Sequence, residues 1–279
     1  MATTLILNSN NKVTPSKYEY VFPSNVKFDK GDKLGLQSIS MYNSIFNIEA
    51  QRGNNRLSII WNADTSVQYD ILIPDGFYDV TALKYYIFNF MVLNNLYLVD
   101  ANGNNIYFIE IVTKPAEYAV QLNVYALPTA AEMTTLELSY PTVHLWSAPT
   151  VATTPQLIIP SQSFGNLIGF NLGTFPAAPI AENIQLISIK TPQISPVNCI
   201  LLGCNLISSM YSNPSNLFYS VPIKAGFGNM ISETNTSLIY NQIASGNYGK
   251  IVIEFYDQGF NSLRLHDEEI TIVLSILKG

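Results

Sequence analysis

A chain of 279 residues buries roughly three quarters of its unfolded surface on folding, enough for a sizeable core. Only 12% of the residues are charged, 48% are hydrophobic, and the net charge is −6, where an ordinary chain is about one quarter charged. This argues against nucleic-acid binding as the main role, because phosphate neutralisation needs clustered Lys and Arg, and none lies between Pro115 and Ile189.

In chain order, residues 1–17 hold one apolar burst, Leu5-Ile6-Leu7, among Asn, Ser and Thr, and read as an extended arm that a partner orders. Tyr18 to Phe22 alternates as a strand that stops at Pro23. Residues 33–48 have period two, with Leu34, Leu36, Ser38 and Ser40 on one face and Gln37, Ile39 and Met41 on the other, so a central strand is predicted. A strand pair at 57–61 and 67–73 leads to Pro74-Asp75-Gly76, which is turn chemistry.

The period then changes. Val80, Leu83, Ile87 and Phe90 share one helical face. Asp79 stands at the N-cap, and Asn94-Asn95 stop the helix. Residues 96–100 and 106–112 flank Asn102-Gly103, a hairpin signal, and 118–125 alternates again. Residues 128–160, rich in Pro, Ala and Thr, read as a long excursion between strands, a surface flap. Phe164, Leu167, Ile168 and Phe170 pack a helical loop. Short strands follow at 184–189, 199–207, 219–223, 237–241, 250–256 and 269–277. The sum is about ten turn-punctuated strands and one reliable short amphipathic helix, an all-β antiparallel sandwich or jelly roll.

Chemical motifs are sparse. His266-Asp267 can orient a general base, but no nucleophile signature accompanies it, and His144 lies in the Pro-rich excursion beside Trp146. Cys199 and Cys204, five apart on a strand, point to opposite faces, so no bridge between them is expected. With no His nearby they make no zinc site, and two free thiols suit a reducing compartment. Gly246-Asn247-Tyr248-Gly249-Lys250 lacks the spacing, the hydroxyl and the helix of a phosphate loop.

Asp267-Glu268-Glu269 reads as a charged strand entrance that blocks stray pairing rather than a cation site. Asn235-Thr236-Ser237 is a glycosylation sequon, which matters only outside the cell. Lys12, Lys17, Lys27, Lys30 and Lys33, set against Glu19, Asp29 and Asp32, read as a solvated face. The opening residues lack a basic leader, and no apolar run reaches the roughly eighteen residues of a membrane span. No catalytic, cofactor or metal residue is expected.

Several ordered blocks resemble the penton, or minor capsid, proteins of virophages and polinton-like viruses. They are Leu34 onward with Tyr42-Asn43-Ser44 and Asn47-Ile48, the Ile73-Pro74-x-Gly76-x-Tyr78 segment with its helix, and the hairpin around Tyr97-Leu98-Val99-Asp100 and Asn102-Gly103. Phe164 to Pro176 and the closing strand pair with Asp257-Gln258 and Asp267 complete the set. The resemblance implies a single jelly roll, a homopentamer at each icosahedral vertex, a double jelly-roll major capsid protein as neighbour, and a virion assembled in the host cytoplasm. The expected division is an N-terminal arm, 1–17, and a jelly-roll domain, 18–279, with a surface insertion around 128–160. The alternative is a β-sandwich binder of a host receptor or glycan, with Trp146 as its contact.

Overall fold

A computed structural model describes residues 2–279. The chain divides into two compact units, one made of Met1–Ile45 and Val197–Gly279 and the other of Phe46–Pro196. The first unit opens with β1 (Ala2–Asn8), β2 (Lys12–Thr14), β3 (Lys17–Phe28) and β4 (Lys33–Tyr42). The second contains β5 (Arg56–Asn62), β6 (Ser66–Leu72), α1 (Val80–Leu93), β7 (Leu98–Val99), β8 (Asn105–Ile106), β9 (Ile109–Lys114), β10 (Ala119–Val124), α2 (Ala130–Thr135), β11 (Gln156–Ile159), α3 (Gln162–Ile168), β12 (Gly173–Phe175) and β13 (Ile184–Ile187). The chain returns to the first unit with β14 (Cys199–Cys204), β15 (Leu217–Pro222), β16 (Met230–Thr234), β17 (Tyr240–Gln242), β18 (Gly246–Tyr256) and β19 (Thr271–Leu277).

The first unit is a jelly roll, as its pairing shows. One sheet has the order β1-β19-β4-β16, with β17 also on β4, and the other has β15-β14-β18-β3-β2. Along the chain, the eight principal strands pair first with last, second with seventh, third with sixth and fourth with fifth: β1 with β19, β3 with β18, β4 with β16, β14 with β15. That nesting is a long hairpin rolled into two facing sheets. The inward residues of both sheets share one core, with Leu7, Leu34, Ile39, Ile272 and Leu274 from the first and Tyr18, Leu202, Ile251 and Phe255 from the second. Burying each such aliphatic side chain stabilises the fold by roughly 1.5–3 kcal/mol.

Three local expectations change here. Residues 2–8 are extended, but they form the first jelly-roll strand and not a free arm: β1 pairs with β19 from Ala2↔Leu277 to Asn8↔Thr271, and Leu7 is fully buried. Leu34, Leu36, Ile39 and Met41 all enter the same core although strict alternation puts them on two faces. The register against β19 jumps from Val273↔Ser38 to Leu274↔Leu36, so Gln37 is a bulge residue that resets the phase. β3 also continues past Pro23 to Phe28. Its register against β18 slips between Lys250↔Val21 and Tyr248↔Val26, and that irregularity accommodates a residue with no amide to donate.

The second unit has its own core. Its sheets run β12-β11-β5-β6 and β13-β10-β9, with β7-β8 a short ribbon. α1 begins as predicted: Asp79 accepts the amide of Ala82 at 2.7 Å. Val80, Leu83 and Ile87 are buried, and Met91, rather than the half-buried Phe90, completes the face.

The expected insertion at 128–160 has no boundary of its own in this unit. Its α2 is closed by a full capping box, Thr129 accepting from the amide of Glu132 and Glu132 from that of Thr129. Its β11 lies between β5 and β12. Thr129-x-x-Glu132 is the sequence form of that box. The Pro-rich composition masked it.

Candidate assembly surface

The residues weighed for chemistry are spread out. His144, in the second unit, stacks on Tyr140 at 4.2 Å and 5°, with Nδ1 3.3 Å from the Pro141 carbonyl. In the first unit Asp267 is engaged in holding backbone: Oδ2 accepts the Tyr42 amide at 2.6 Å, Oδ1 accepts the Glu269 amide at 2.9 Å, and its own amide donates to Ser44 Oγ. That locks the entrance of β19 to the end of β4. Among the described residues no group of three or more His, Cys, Asp or Glu is placed to hold a metal ion.

Cys204 is buried and Cys199 half-buried, both as free thiols. Burial pushes the Cys204 thiol up to about 12. Gly246 to Lys250 is strand, paired with β3 from Phe28 to Val21. The Asn235 side-chain amide donates to the Leu36 carbonyl at 2.9 Å and its oxygen accepts from Tyr219 at 2.7 Å, so the sequon nitrogen is occupied.

Trp146 corrects an expectation. It is not a surface contact but 6% exposed, edge-on to Trp61 at 5.1 Å, with its indole N–H on the Asn95 carbonyl at 2.7 Å. Its neighbour Leu145 is 96% exposed.

The lysines near the start are largely matched. Lys17 and Lys250 both stand 3.0 Å from Glu19, Lys27 lies 2.9 Å from Asp29, and Lys12 lies 3.8 Å from Glu268. Hydrogen bonds from Lys17 and then Lys250 hold the Glu19 carboxyl below its ordinary range.

The two units differ sharply in charge. The jelly-roll unit has nine Lys and Arg against nine Asp and Glu, and the second unit five against eleven. The whole net charge of −6 therefore belongs to Phe46–Pro196. The neutral jelly roll in turn exposes many large apolar side chains. Tyr42 and Met230 are direct partners across β4 and β16, and both are exposed. Val21 protrudes from β3, Ile6 from β1 and Ile239 before β17. Met210 and Tyr211, in the loop after β14, are 87% and 93% exposed. Tyr and Met on a charge-balanced surface are the composition of contact faces.

Among the described residues no helix is long and apolar enough to cross a membrane. No family model and no curated protein matches the chain. Among solved structures, the crystal structure of a mavirus penton protein is similar to it, with a TM-score of 0.46 and 11% sequence identity over 100% of this chain and 99% of that one.

Proposed function

We propose that this chain is a non-enzymatic capsid protein. In this reading it assembles as a homopentamer at the vertices of an icosahedral virion, beside a double jelly-roll major capsid protein. The observation that carries the reading is the nested strand order of the first unit, an eight-strand jelly roll built from both ends of the chain. A jelly roll hosts many functions, so surface composition has to choose among them. The roll has no net charge and exposes Tyr, Met, Val and Ile, so copies approach one another there without repulsion and cover apolar area.

A five-fold ring needs one heterologous contact repeated until it closes. The acidic second unit, net −6, disfavours close packing against its own copies. The sequence blocks that resemble the penton family point the same way. Assembly in a reducing host compartment fits two free thiols. The test is to purify virions and count copies: five per vertex supports the reading, and absence from particles refutes it.

A further inference from the structure

The same loop is built twice in this protein. In the second unit Asp100 leads a turn in which its Oδ1 accepts the amides of Asn102 and Asn104, at 2.9 and 2.7 Å. Its own amide donates to the Asn104 carbonyl, and Gly103 donates to the Asp100 carbonyl. In the jelly roll Asp257 does the same: Oδ1 accepts the amides of Gly259 and Asn261 at 2.8 and 2.9 Å, Asp257 donates to the Asn261 carbonyl, and Phe260 donates to the Asp257 carbonyl. The fourth position is left-handed in both, with φ +82 at Gly103 and +62 at Phe260. Glycine takes that conformation freely, while a bulky side chain is strained in it. Phe260 is also 48% exposed, so burial in its own chain only partly offsets the strain. An outlier of this kind points to use at a contact.

The jelly roll also has a receptacle. A concavity of about 590 Å³ is lined by Ile207, Ser209, Met210, Tyr211, Asn241 and Gln242 among others, with no charged side chain. About 150 Å³ is enough to hold benzene. Tyr211 and Met210, the most exposed apolar residues of this unit, line it. Knob and hole sit toward opposite ends of β14: the amide of Asn198, just before the strand, donates to Gln258 in the Phe260 loop at 3.3 Å, and Cys204, where the 205–216 loop begins, pairs with Ile253.

We propose that Phe260 of one copy of this chain inserts between Met210 and Tyr211 of a second copy, a head-to-tail contact between jelly rolls. A second copy is the occupant because knob and hole sit on the same charge-balanced unit, and because insertion covers the exposed apolar residues on both sides at once. The proposal rests on the reading that copies of this chain associate, and it assigns the residues.

The experiment is sedimentation velocity with thermal unfolding on the full chain, as wild type, Phe260→Gly and Tyr211→Ala. Wild type that stays monomeric refutes the self-association reading itself. If wild type associates, Phe260→Gly is expected to raise Tm by about 2–4 °C through relief of the turn, read at a dilution where both chains are monomeric, while weakening association about tenfold or more. Tyr211→Ala is expected to weaken it similarly with the Tm of the monomer unchanged.

Mixing the two variants leaves one intact knob and one intact hole, so dimers are expected to form and to grow no further. Association of Phe260→Gly at wild-type strength, a fall in the Tm of its monomer, or a mixture that stays monomeric overturns the assignment.

Discussion

Lys278 places its Nζ 2.6 Å from the Oδ2 of Asp32 and 4.5 Å above the ring of Phe28, tying the residues after β19 to the β3–β4 turn. Asp32 is nearly fully buried and also accepts the amides of Gly279 and Asp29, each at 3.0 Å. The lysine and these amides hold its carboxyl down to about 2.

A group with a depressed folded-state pKa stabilises the fold fully above its unfolded value, about 3.9. That contribution is lost as pH falls toward the folded value. Asp32→Asn is therefore expected to cost about 2 kcal/mol at neutral pH. Denaturant unfolding should show the gap from wild type closing between roughly pH 4 and 2. A gap of constant size across that range would count against the latch.

Trp146→Ala removes a buried indole packed on Trp61 and leaves the Asn95 carbonyl without its donor. The expected loss is about 3–5 kcal/mol, read from the urea midpoint. A variant of wild-type stability would return Trp146 to the surface.

Gly169 caps α3 in the left-handed conformation, φ +79, and a Cβ there would collide with the Lys190 carbonyl and the Ser188 side chain. Gly169→Ala is expected to destabilise the second unit by about 2 kcal/mol or more. Gly53, also left-handed at φ +63 but with open space around it, is the control. Gly53→Ala should lose only the conformational part, about 1 kcal/mol.

The thiols should differ in reactivity. Cys204 is fully buried and held protonated by burial up to about 12, while Cys199 is partly accessible. Under native conditions an aromatic disulfide reagent should therefore label Cys199 alone, with Cys204 reacting at the rate of unfolding. Equal labelling of both would contradict the burial of β14.

What the sequence shows by itself is what local physics determines. Asp79 and the 3–4 spacing after it mark α1 because a helix is built from neighbours. Asp100 and Gly103 mark their turn for the same reason. The nested strand order is different in kind. Leu7 meets Ile272 only through β1 and β19, at opposite ends of the chain, and no window of sequence contains both.

The three-residue burst Leu5-Ile6-Leu7 is too short to show its period, so a strand of the roll reads as an arm. The bulge at Gln37 defeats strict alternation in β4 by shifting phase in mid-strand. For Phe260, the Asp-x-x-x-Asn form shared with residues 100–104 is visible in the sequence, but the positive φ that makes Phe a costly choice there is not.

The native mass of the purified 31.0 kDa chain, measured by sedimentation equilibrium across a wide concentration range, tests the central claim most directly. The account predicts a reversible species that closes at five chains. A single-chain mass at every concentration would contradict it.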